Sequence, residues 1–139
     1  MRRHRRLRTL VVDGTAWHWT VRQRVLPAYE DCRLSLSFFT EGYRSGTGRR
    51  LTLVFAPGDR RIVSNDYFEA GAVIRLPGHE YLNLHAPGTA RRLLDAAAPA
   101  LERHPAVRDV GLDGWPYFDR VVDGRPAAGA QASPASASR

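Results

Sequence analysis

Four residues at alternate positions, His79, Tyr81, Asn83 and His85, form the most chemically suggestive cluster in the chain. Extended backbone puts successive side chains on opposite faces, so these four would line one face while Leu82 and Leu84 turned to the core. The segment leads into Pro87-Gly88-Thr89 and an amphipathic stretch. A neutral imidazole beside the free N–H groups of a helix start can hold a carboxylate or phosphate. Tyr81, Asn83, His85 and Thr89 are therefore a candidate small-anion or enzyme site. The competing reading is the solvated face of an edge strand, with Thr89 capping the helix. The same spacing argues against a metal, because two histidines six residues apart on a strand lie about 20 Å apart and cannot share an ion. Neither a metal site nor a cofactor is expected.

Nucleophilic catalysis has the residue types without the patterns that activate them. Cys32 is the only cysteine, so a disulfide within the chain and a cysteine-built zinc site are both excluded. Its parity matches Leu34 and Leu36 in an alternating strand, which points to a small buried hydrophobe. No serine sits in a nucleophile elbow, and no glycine-rich loop leads into Lys-Ser or Lys-Thr. With no lysine anywhere, Schiff-base chemistry is excluded too. No catalytic residues are assigned, and the expectation is a binding protein and not an enzyme.

The charge points the same way. All 21 basic residues are arginine, a bias that a high-GC genome produces by codon usage alone. Their placement is less easily set aside: residues 1–24 carry Arg2, Arg3, Arg5, Arg6, Arg8, Arg22 and Arg24 against Asp13 alone, a net +6 out of the chain's +7. Such a surface suits an acidic protein, and the same guanidinium groups suit nucleic-acid phosphates.

The elements that would position these groups follow from pattern. Asp13-Gly14 between two apolar-rich runs signals a type I′ hairpin turn, since both central residues need positive φ. Residues 7–12 and 15–25 should then pair with Val12 opposite Thr15, Leu10 opposite Trp17 and Arg8 opposite Trp19. That register sends Trp17, Trp19 and Val21 to the aliphatic face. It leaves His18, Thr20 and Arg22 on the other with Thr9, where Arg33, Ser35 and Ser37 of the next strand would extend them. With the aromatics turned inward, the outer face suits a phosphate or an acidic protein better than stacked bases.

Residues 32–38 and 50–55 alternate cleanly around the turn-rich 41–48, which predicts a second hairpin. A short strand at 62–63 interrupts a long connection, and 73–76, 81–85 and 107–112 are further strand candidates. Residues 89–103 place Ala90, Leu93, Leu94, Ala97 and Leu101 on one helical face, with a split expected near Ala98 because Pro99 removes a backbone donor. Residues 117–122 are compatible with either strand or helix.

The chain therefore reads as one α+β domain over 7–123, an antiparallel sheet of four to six strands with two N-terminal hairpins, covered on one face by one main helix. A basic arm (1–6) precedes it, and an Ala/Ser/Pro-rich tail (124–139) is expected to be disordered. The run Leu7–Val12 is too short for a signal-peptide core or a membrane span, so a cytoplasmic protein is expected.

The combination Asp13-Gly14-x-x-Trp17-x-Trp19-x-Val21-Arg22 with Asn83-Leu84-His85-x-Pro87-Gly88-Thr89-x-x-x-Leu93-Leu94-Asp95 resembles small proteins of high-GC actinobacteria. The resemblance spans residues 7–103 and implies a coherent domain, with no activity attached to it. The functional expectation is a binding or adaptor protein that meets an acidic protein through the arm and through Arg8, His18, Thr20, Arg22 and Arg24. Nucleic-acid binding by the same arginines and an anion or enzyme site at 79–89 are the alternatives.

Overall fold

A computed structural model describes residues 8–25, 32–63 and 71–124. Arg2, Arg3, Arg5 and Arg6 of the arm, the tail beyond Gly124 and the side chain of Cys32 lie outside the described residues. Asp13 (φ 51) and Gly14 (φ 81) turn β1 (Arg8–Val12) into β2 (Thr15–Val25), with Val12 against Thr15, Leu10 against Trp17 and Arg8 against Trp19. This is the register the two-residue turn predicts. β3 (Cys32–Thr40) and β4 (Arg50–Phe55) form the second hairpin.

After β4 the chain builds a separate antiparallel sheet from β5 (Arg61–Val63), β6 (Ala72–Arg75) and β7 (Glu80–Asn83). It then forms α1 (Pro87–Ala97) and α2 (Pro99–Arg103), which part at Pro99 as expected. The chain returns as β8 (Asp109–Asp113), parallel to β4, and ends in α3 (Trp115–Asp123), closed by left-handed Gly124 (φ 72). The main sheet thus has the order β1-β2-β3-β4-β8. The five-stranded sheet with its two N-terminal hairpins and helical cover is the expected α+β architecture. To it the chain adds a small second sheet and α3 beside α1, which settles residues 117–122 as helical.

One face of the main sheet carries the core. Trp19, Leu34, Leu36, Phe38, Leu51, Leu53 and Phe55 are buried in one cluster with Leu93, Leu94 and Ala97 of α1 and Phe118 of α3. Gly114 allows the close entry into α3, since a Cβ there would meet the Phe55 ring at 2.5 Å. Arginine ties the small sheet to α3: Arg75 pairs with Asp119 and Asp123 at 2.9 Å each, and Arg61 with Asp119 at 3.1 Å. Those two guanidinium groups also lie over Phe118 and Trp115, so the contact carries packing as well as charge. No helix among the described residues is long and apolar enough to cross a membrane.

The 79–89 segment does not assemble the predicted row. β7 ends at Asn83, whose Oδ1 accepts a hydrogen bond from the His85 backbone N–H at 2.9 Å, and His79 sits in a turn at φ 65. Tyr81 points outward and is 54% exposed. Thr89 is buried inside α1; the helix instead begins at Pro87, whose fixed φ suits the first helical position and whose missing N–H needs no partner there, with Ala86 as its cap. His85 packs its ring over Gly71 (φ 94), where any Cβ would collide with the imidazole. Burial, and then the nearby Arg8, hold its pKa below the ordinary histidine range.

Candidate functional site

The strand alternation that buries one face of the main sheet leaves the opposite face without a helical cover among the described residues. The register assembles that face in rows. The first runs Thr9, His18, Phe39, Arg50, Asp109 across all five strands. The second runs Thr20, Ser37, Thr52, Gly111, and the third runs Arg22, Ser35, Val54, Asp113. Large side chains fill the first row, small ones the second, and Arg22 stands at one end of the third. The result is a hollow with a floor of hydroxyl groups and one glycine, about 1010 Å³ in volume, whose lining includes every one of these groups except Thr9, Val54 and Asp113.

Hydrogen bonds order the rim. The Tyr43 hydroxyl donates to Asp109 Oδ1 at 2.7 Å, and Arg50 Nε pairs with the same oxygen at 3.1 Å. The accepted hydrogen bond is the main reason the Asp109 carboxyl is held below the usual range, with Arg50 and Arg108 acting in the same direction. The same bond, together with desolvation, pushes the Tyr43 phenol up. Phe39 meets Tyr43 edge-on at 5.1 Å. His18 lies between Thr9 Oγ1, 3.2 Å from Nδ1, and Glu41 Oε1, 3.4 Å from Nε2, so both ring nitrogens are engaged. On the floor, Ser37 and Thr52 share a hydrogen bond at 3.1 Å. Among the described residues no hydrogen bond or ion pair engages the side chains of Thr20, Ser35, Arg22, Arg24 or Arg44.

The wall is the compact loop 41–48. It is held by its own backbone bonds, among them Thr47 N–H to Gly42 O at 2.9 Å and Gly46 N–H to Tyr43 O at 3.1 Å. Arg108 clamps it from β8's side, with its guanidinium bonded to Tyr43 O and to Gly48 O and lying 4.2 Å from the Tyr43 ring. Gly48 is required there. A Cβ would meet Glu41 O and Tyr43 N at 2.6 Å and Thr40 O at 2.7 Å, all backbone atoms that cannot turn aside. Gly48→Ala is expected to lower stability by about 1–3 kcal/mol through this overpacking, measured by urea titration. Chemical-shift changes in a 15N–1H spectrum should concentrate in residues 40–49 and 108–109.

The structure brings together three predicted residues, His18, Thr20 and Arg22, with Arg24 beyond them on the same face and directly opposite Arg33. Arg8 belongs to the other face: it lies 5.1 Å over the Trp19 ring, and its guanidinium donates to His85 O. Tyr81, Asn83, His85 and Thr89 do not converge, and none of them lines the hollow. Trp17 and Trp19 turn inward as expected, and Phe39 and Tyr43 add aromatic rings at the rim that the reading of the first hairpin did not include. The Phe38-Phe39 doublet contained that signal, because alternation cannot bury both. Asp109 and Gly111 were beyond reach, since their place depends on β8 pairing in parallel with β4 across a distance of more than fifty residues in sequence. Among the described residues no group of three or more His, Cys, Asp or Glu could hold a metal ion. Compared with protein-family models, with curated proteins and with solved structures, the chain matches none.

Proposed function

We propose that this chain is a binding protein that meets an acidic protein partner through the outer face of its first hairpin, with the N-terminal arginine arm as a second contact and the cytoplasm as its setting. One observation carries the reading. Arg22 and Arg24 stand exposed on one strand face, about 7 Å apart by strand rise, and no carboxylate among the described residues pairs with either. Arg50 on the same face is paired with Asp109, whereas Arg44 at the rim is, like Arg22 and Arg24, without a carboxylate partner among the described residues. Unpaired guanidinium groups beside an open face favour an anionic partner and speed its approach. The resemblance to small actinobacterial proteins belongs to the same proposal and adds no activity to it.

The test is capture from cell extract by the full chain, by Arg22→Glu/Arg24→Glu, and by a chain lacking residues 1–8. The expected result is an acidic protein retained by the wild type after nuclease treatment and released as salt rises. The charge-reversed chain should retain roughly tenfold less, since a charged rim contact is turned repulsive. Capture abolished by nuclease would transfer the same arginines to nucleic acid, whose phosphate binding falls steeply with salt. Undiminished capture by both altered chains would overturn the reading.

A further inference from the structure

The main sheet ends on β1 at one side and on β8 at the other, and the two edges are built differently. A free edge presents a row of open N–H and C=O groups, which proteins commonly shield with charge, proline or a bulge. β8 is shielded. Its exposed positions are Asp109, Gly111 and Asp113, two carboxylates around a glycine. β1 (RTLVV) has no proline, its pairing with β2 runs without a bulge, and its one charge, Arg8, is spent on the Trp19 ring and on His85 O.

The turn decides which backbone groups of β1 are open. A two-residue turn makes Val12 and Thr15 a hydrogen-bonded pair, so Arg8, Leu10 and Val12 bond to β2 while Thr9 and Val11 aim their N–H and C=O groups at the free edge. Among the described residues no backbone group takes them up. The side chains are open as well. Val11 is 64% exposed, more than any other large hydrophobic among the described residues, and Leu10 and Val12 touch the core but are only partly buried. A strand laid beside β1 supplies bonds to Thr9 and Val11 and covers apolar surface on both faces at once.

We propose that this strand is β1 of a second copy of the chain, antiparallel about a two-fold axis through Leu10. In that register Thr9 of each copy faces Val11 of the other, each pair exchanging two N–H···O bonds, and Leu10 meets Leu10 across the axis. β-branched residues then oppose each other on the outer face and leucines on the core face, pairings that stabilise a ladder. Charge permits the arrangement. Arg8 falls opposite Val12 of the second copy and next to its Asp13, the only acid among residues 1–24, so like charges do not meet. A foreign strand would have to carry these matches in its own sequence; β1 supplies them to itself. The axis stands perpendicular to the sheet and keeps both outer faces on one side, so Arg22 and Arg24 are presented twice on one surface. The pairing goes beyond the acidic partner and does not rest on it.

Sedimentation equilibrium of the full chain, alone in buffer, tests the pairing. The expected result is a reversible shift from one chain to two between micromolar and millimolar concentration. Val11→Pro removes an outward N–H and leaves the bonds to β2 in place, at a position where an edge strand tolerates proline, and should weaken the dimer by roughly tenfold or more. Cysteine substitutions in a Cys32→Ser chain test the register even if the proline variant fails to fold. Leu10→Cys should form an intermolecular disulfide under mild oxidation, because directly opposed residues of a non-hydrogen-bonded pair bring their Cβ atoms within disulfide reach. Val11→Cys, opposite Thr9, should cross-link at a small fraction of that yield. Three results overturn the inference: one chain at every concentration, a dimer as tight in folded Val11→Pro as in the wild type, or Val11→Cys cross-linking as readily as Leu10→Cys.

Discussion

Trp19→Ala lowers the stability of this protein by about 3–5 kcal/mol, the range for removing a large buried aromatic side chain. Trp19 is 1% exposed and sits at the centre of β2, between the β1 and β3 strands that its own register fixes. Its ring also carries the Arg8 guanidinium at 5.1 Å, and Arg8 in turn holds the backbone at His85 beyond β7. Truncation therefore opens a cavity in the core and removes the surface on which a long-range contact rests. The midpoint of thermal unfolding should fall by roughly 10–20 °C for a chain of this size. Trp19→Phe should lose only about 1–1.5 kcal/mol, because the ring and most of its volume remain. The indole N–H that it deletes is buried without a hydrogen-bond partner among the described residues, so no paired bond is lost with it. Urea titration of both variants with an unchanged slope checks the claim. Equal losses in the two would show that the indole N–H, and not the ring, carries the stability.

Arg49→Ala comes next in expected size, at about 2–4 kcal/mol. The side chain reaches from the start of β4 to the far end of α2. It donates to Leu101 O at 2.9 Å, to Val107 O at 2.6 Å from Nη2 and 3.1 Å from Nε, and to His104 O. Leu101 O and His104 O also accept the backbone N–H of His104 and of Val107, so the planar cation adds a second bond to carbonyls at and just beyond the end of α2 and ties that segment to the start of β4. The group is half-buried, and water at its open side can take over some of the carbonyls, which keeps the loss below the sum of the individual bonds. Arg49→Lys should recover only part of it, because a single ammonium cannot match the guanidinium's donors in three directions. Hydrogen exchange should show faster opening in residues 99–112 for both variants, with the alanine form faster. Unchanged exchange there would sink the argument.

Local chemistry was legible in the chain wherever one residue's conformation decides the matter. Asp13-Gly14 set the turn, the turn set the register, and the register sent Trp17 and Trp19 to the core and His18, Thr20 and Arg22 to the open face. Pro99 divided the helix where its missing donor required. The 79–89 row failed for a local reason as well. His79 and His85 lie outside the ends of β7, and alternation orders side chains only while the backbone stays extended.

The hollow itself is a tertiary product. Its floor needs Gly111 beside Thr52, and its rim needs Asp109 beside Arg50; both follow from a parallel pairing of β4 with β8 that no local pattern specifies. Arg49 and Arg108 read in the sequence as two more cations in a basic chain. Only the folded chain shows them spent on backbone carbonyls, while Arg22 and Arg24 have no such partner among the described residues. The sequence by itself determined which face of each strand is polar, because period-two alternation is a property of neighbouring residues. Which polar residues meet, and which arginines find a carboxylate, only the tertiary structure decided, because strand order and ion pairing join residues far apart in the chain.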